Sequence, residues 1–192
     1  MAVMRQTAAG NWEGVLGPGQ RVVPAPVQPR WRFADCKGQS PQRVVWRLAR
    51  SLRCARRSIC FTSSAYTNPP QYVLVAAGTQ PNGVAIALKE ELPALLDPRW
   101  ANQQDQLNFI RGIAPAALWL LKCAACRARF SPPGRMMKRL HVVPLPYTSG
   151  EVLISTGEVW RARGIAWWQE DAMLAMVWEV PPVQELVTLR GW

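Results

Sequence analysis

Residues 40–61, SPQRVVWRLARSLRCARRSICF, decide how the chain is read. Ser40 is a natural N-cap, and Pro41 then takes the first helical position, where its missing N–H costs nothing. At about 100° per residue, Val44, Val45, Leu48, Ala49, Leu52, Ala55 and Ile59 fall on one arc. Arg43, Arg47, Arg50, Arg53 and Arg57 fall on the opposite arc, with Trp46 and Cys54 among them. The pattern predicts one basic amphipathic helix across the whole stretch. Arg56 lies near the apolar edge, within reach of solvent by snorkelling.

No acid occurs between Lys37 and Lys89, so nothing at i,i+4 neutralises the arginine face. The wider charge balance is equally lopsided. Residues 1–89 hold 12 Lys/Arg against 2 Asp/Glu, whereas residues 90–192 hold 11 against 10. A net charge of +11 concentrated in one half is the footprint of a polyanionic partner. Arginine outnumbers lysine 19 to 4, and its planar fork suits phosphate.

With 192 residues and 49% apolar composition the chain can bury a core. Five irregularly spaced cysteines do not make a secreted disulfide framework, which points to a reducing compartment (cytoplasm or organelle matrix) or a virion, and not to secretion. No apolar run reaches the roughly 18 residues of a membrane-spanning helix. Residues 1–34 form a Pro- and Gly-rich basic arm, expected to lie extended. Within it Arg30-Trp31-Arg32-Phe33 alternates cation and aromatic. That pattern suits phosphate and base contact, and equally a short strand with both aromatics packed on the core.

Residues 72–77 and 84–88 flank a Gly/Pro/Asn-containing loop and predict a β-hairpin, its first strand apolar on both faces and so buried between layers. Residues 99–110 read as a helix with Trp100, Leu107 and Ile110 on one side. Residues 115–129 read as the core helix. Four strands then follow, over 140–144, 151–155, 158–168 and 173–180, as an antiparallel meander. In the third of these, Arg161 and Arg163 share a face and can extend the basic surface. The expected fold class is α+β, with a globular domain over 35–182 and a docking tail over 183–192.

Enzymatic readings are constrained by the single histidine, His141, which sits in a strand and reads as structural. Cys123 and Cys126 form a lone CxxC on an apolar helix; with His141 they define a zinc or thiol alternative. A second alternative lays the basic helix on an anionic membrane surface. The main expectation is a non-enzymatic component of a large assembly, a ribosome-like particle or a virion. It would contact nucleic acid, RNA ahead of DNA, through Arg30, Arg32, Arg43, Trp46, Arg47, Arg50, Arg53, Arg57, Arg161 and Arg163. Neighbouring protein subunits are the other expected partners, and no cofactor is expected.

Overall fold

The computed structural model describes residues 4–6, 12–14, 28–52, 56–61, 72–129, 135–146, 148, 150–157 and 160–180. Strands Met4–Gln6 (β1) and Trp12–Gly14 (β2) pair with each other as a two-stranded antiparallel sheet. Then come Arg30–Asp35 (β3), Pro41–Ser51 (α1), Arg56–Phe61 (β4), Tyr72–Gly78 (β5) and Asn82–Leu88 (β6). Helices Gln103–Ile110 (α2), Pro115–Ala128 (α3) and Arg135–Arg139 (α4) follow. Strands His141–Pro144 (β7), Val152–Ser155 (β8), Arg161–Gln169 (β9) and Ala172–Glu179 (β10) complete the order. The fold is α+β. A three-stranded antiparallel sheet, β3-β5-β4, packs on a five-stranded one, β6-β10-β9-β8-β7. α1 covers the outer face of the first, and α3 covers the outer face of the second.

The expected long helix is corrected. α1 ends at Ser51, Leu52 turns to φ −107° and ψ 87°, and residues 56–61 become a strand. Ser58, Ile59, Cys60 and Phe61 are all weak helix formers, whereas the free edge of β5 offers them a ladder from Arg56↔Gly78 to Phe61↔Val73. Tertiary pairing therefore overrides a periodicity that rested beyond Leu52 on two residues, Ala55 and Ile59. Ser40 does occupy the N-cap, but its hydroxyl donates to Gln42 Oε1 (2.7 Å) and caps no backbone N–H.

The expected hairpin is corrected as well. β5 and β6 are consecutive but lie in different sheets. Both edges of β5 are taken by β3 and β4, so its backbone has no ladder left for β6, which pairs with β10 instead. The three-residue link 79–81 carries the chain from one layer to the next. Every residue of both strands is buried, as apolarity on both faces requires. Leu74 and Ala76 from β5 meet Val84 and Ile86 from β6 and Leu174, Met176 and Trp178 from β10 in the core between the sheets. The aromatics of β3 join them: Trp31 lies 4.9 Å from Trp167, and Phe33 lies 5.1 Å from Tyr72, between ring centroids. β3 thus takes the end of the expected arm into the sheet, with its aromatics inward. The meander β7 to β10 is present, with the tight turn at Glu170 and Asp171. The tail 183–192 lies outside the described residues.

α3 approaches the five-stranded sheet closely because one row of that sheet runs Gly83, Val177, Gly164, Val152. A Cβ on Gly83 would stand 2.1 Å from the Ala124 carbonyl oxygen and 2.4 Å from the Ala128 nitrogen. At Gly164 the nearest atoms are side-chain methyls, Leu121 Cδ2 at 3.0 Å among them.

α2 is inverted. Asp105 and Asn108 are fully buried, while Leu107, Phe109 and Ile110 are exposed, which overturns the expected packing of Leu107 and Ile110 beside Trp100. The buried side is polar because it has partners. Asp105 Oδ2 accepts from Lys122 Nζ (2.5 Å) and from the Asn102 backbone N–H (2.7 Å), and both charged side chains are 0% exposed. Asn102 Oδ1 accepts from the Asp105 N–H, closing a capping box, and Asn108 Nδ2 donates to the Val142 carbonyl. Burial holds Lys122 below the ordinary lysine range, with the Asp105 carboxylate opposing that shift.

Two stability outcomes follow. Gly83→Ala should lower the urea midpoint by the equivalent of about 3 kcal/mol, because backbone must move, and Gly164→Ala by about 1. Asp105→Asn and Lys122→Met should each cost about 3–5 kcal/mol, and the double variant clearly less than the sum. Strict additivity in that cycle would mean that the pair is not coupled.

Candidate nucleic-acid interface

The cationic site begins with how α1 is seated. Val44 and Leu52 are buried, and Val45 and Leu48 half-buried, against Val73, Val75 and Ala77 of β5; Ala49 is buried too. A tight turn leads in: Lys37 and Gly38 adopt positive φ (45° and 72°), and the Gln39 N–H donates to the Cys36 carbonyl (2.8 Å). With the apolar arc fixed inward, the opposite arc is fixed outward. Arg43, Trp46, Arg47 and Arg50 are all exposed, within an arc of about 100° and about 10 Å of helix axis.

Strand register brings three more arginines to the same side. Arg30 on β3 and Arg57 on β4 both stand opposite Ala77, and Arg32 stands opposite Val75. Directly opposed residues share a face, and Ala77 and Val75 face α1, so Arg30, Arg32 and Arg57 flank the helix on both edges of its sheet. Arg30 and Arg57 are two strand spacings apart, about 10 Å at the backbone. Arg32 Nη1 donates to the Trp31 carbonyl (2.9 Å), and all three arginines are exposed.

Among the described residues, none of Arg30, Arg32, Arg43, Arg47, Arg50 or Arg57 forms an ion pair with a carboxylate. The nearest acid along the chain, Asp35, accepts at Oδ1 from the Lys37 backbone N–H (2.7 Å). Lys37 is also exposed in the turn before α1, a cation the reading of the sequence passed over although it opens the acid-free stretch.

The remaining predicted residues are not drawn together here. Arg53 lies outside the described residues. Arg161 and Arg163 stand on β9 of the five-stranded sheet, not on α1 or the three-stranded sheet that carries the other arginines. Arg161 is exposed, and Arg163 Nη1 lies 3.4 Å from Glu151 Oε2, so Arg163 has an internal counter-ion. His141 is exposed in a row with Ser155 and Arg161, on the face of the sheet turned away from α3. Cys123 and Cys126 lie on α3, on the other side of that sheet. Burial also pushes the Cys126 thiol up, away from the thiolate that metal binding and nucleophilic chemistry need. Among the described residues no three His, Cys, Asp or Glu side chains form a metal-holding group.

No protein-family model and no curated protein sequence matches this chain.

An arginine row with no carboxylate partner among the described residues repels itself, and the fold should register that. Replacing Arg43, Arg47 and Arg50 together by Gln should leave stability unchanged or raise it by up to about 0.5 kcal/mol at low salt. Differential scanning at 20 and 300 mM KCl checks this: salt should raise the melting temperature of the natural protein more than that of the variant. A variant that melts several degrees lower would show that the arginines are structurally engaged.

Proposed function

We propose that this protein is a non-enzymatic component of a large nucleoprotein assembly that binds nucleic acid through the outer face of α1. One observation carries the reading: Arg43, Arg47 and Arg50 are exposed on one rigid helix face without a carboxylate partner among the described residues. Arg30, Arg32 and Arg57 add charge at the two sheet edges beside them. Phosphates supply the missing counter-charge, and arginine forks hold them in geometry as well as in charge.

The same seating disfavours the membrane-surface alternative. A helix that lies in a headgroup layer presents its apolar face to lipid. The apolar residues of α1 are already committed to β5, and among the described residues Trp46 on α1 and the 42% exposed Ile59 on β4 are the large apolar side chains left on the cationic side, too few to seat a helix in lipid. No helix among the described residues is long and apolar enough to cross a membrane. Protein neighbours are supported by the outward side of α2, where Leu107, Phe109 and Ile110 are exposed together, and by the half-exposed Trp168. Such a chain suits a ribosome-like particle or a virion, in a reducing setting that leaves the buried thiols of Cys36 and Cys126 unoxidised.

Titration of a 30-nucleotide RNA between 50 and 200 mM KCl tests the reading. Three to six phosphate contacts predict a log–log slope of about −2 to −5, and the triple Ala variant at Arg43, Arg47 and Arg50 should reduce its magnitude by about 2 to 3. A flat salt response in the natural protein would contradict the reading.

A further inference from the structure

Trp46 is the least expected residue of α1. A tryptophan 66% exposed is poor use of a large apolar side chain on a helix that has an apolar face to bury it in. It sits three residues after Arg43 and four before Arg50, so the three side chains form one column along the helix. Along the axis Trp46 lies about 4.5 Å from Arg43 and 6 Å from Arg50, with Arg47 beside the column. Among the described residues no ring and no cation stacks on the Trp46 indole, whereas Trp31, Trp100, Trp160 and Trp167 all have ring or cation contacts.

We propose that Trp46 is a stacking platform for an unpaired nucleobase, and that the face it occupies takes single-stranded nucleic acid. This rests on the nucleic-acid reading of the α1 face and narrows it. A flat ring between guanidinium groups one helical turn away on either side matches a nucleotide, whose base stacks while the phosphates before and after it meet the arginines. A duplex would leave the ring idle, because its bases already stack on each other and present only their edges. A lipid surface is a poorer match: among these arginines the indole and the part-exposed Ile59 bring little apolar area to bury. Stacking and phosphate contact are common to RNA and DNA, so oligo(U) and oligo(dT) of one length should bind within a few-fold of each other.

The experiment uses the full chain with a 15-nucleotide oligo(U), the matching A–U duplex, heparin and anionic phosphatidylserine vesicles, at fixed salt. Trp46→Ala should weaken oligo(U) binding about tenfold, the loss of one stacked base, while the slope against salt stays unchanged. Trp46→Phe should recover most of that loss. Heparin, which has charge but no bases, and the duplex should bind the Ala variant and the natural protein alike. Because the ring is exposed, the melting temperature should not move, and a drop would overturn the stacking role. So would an Ala variant that binds oligo(U) normally while the triple arginine variant does not; that result leaves the nucleic-acid reading of α1 standing. Equal losses toward oligo(U) and heparin would place Trp46 in a general polyanion or acidic-protein contact, and a loss toward vesicles alone would place it in lipid. If the natural protein binds neither oligo(U) nor heparin, the nucleic-acid reading and the stacking proposal both fall.

Discussion

The contact between the apolar arc of α1 and the central strand β5 sets the rest of the molecule. β5 is hydrogen-bonded on both edges and buried on both faces, so it demands a cover on each side. The five-stranded sheet supplies one cover and α1 the other. A helix has a single face to give, and giving Val44, Leu48 and Leu52 to β5 turns Arg43, Arg47 and Arg50 to solvent. Burial of a few aliphatic side chains, about 1.5–3 kcal/mol each, thus outweighs the modest repulsion among exposed cations. The charge pattern is a consequence of packing, and its orientation is as rigid as the packing.

The opposite side of the molecule follows another logic. α2 turns Asp105 and Asn108 inward and three apolar residues outward. A buried carboxylate is costly unless it is paired, and Lys122 from α3 supplies the pair, with Trp100 lending its carbonyl (3.4 Å) and its ring (5.9 Å) to the ammonium. Asn102 Nδ2 reaches the carbonyls of Lys138 and Leu140, each at 2.9 Å, which ties the start of α2 to the end of α4. These polar contacts fix α2 in a pose that no hydrophobic pattern would select. Its apolar outer face is left available to a neighbour.

The legible part of the fold was the part written in local periodicity. The core helix, the four C-terminal strands and the double-sided burial of residues 72–77 could all be read from apolar spacing. What could not be read depended on competition between distant segments. Residues 56–61 carry a helical pattern and a strand composition at once, and only the open edge of β5 decides between them. Residues 72–88 look like a hairpin because an antiparallel turn and a crossing between layers share the same local sequence; β3 and β4 decide that one. The inversion of α2 had a local trace in Asn102-x-x-Asp105, a capping box, but the partner that allows Asp105 to be buried lies 17 positions further on. For the candidate interface, Arg43, Trp46, Arg47 and Arg50 were visible from the helical wheel. The gathering of Arg30, Arg32 and Arg57 around them was not, because it depends on strand register.

Arginine reactivity tests the central claim most directly. Treat the intact protein with phenylglyoxal, alone and with single-stranded RNA, and map the modified residues by mass spectrometry. The account predicts that Arg43, Arg47 and Arg50 react readily in the free protein and are protected together by the RNA, while Arg163, paired with Glu151, reacts slowly in both. Slow modification of the α1 arginines in the free protein, or equal reactivity with and without RNA, would contradict it.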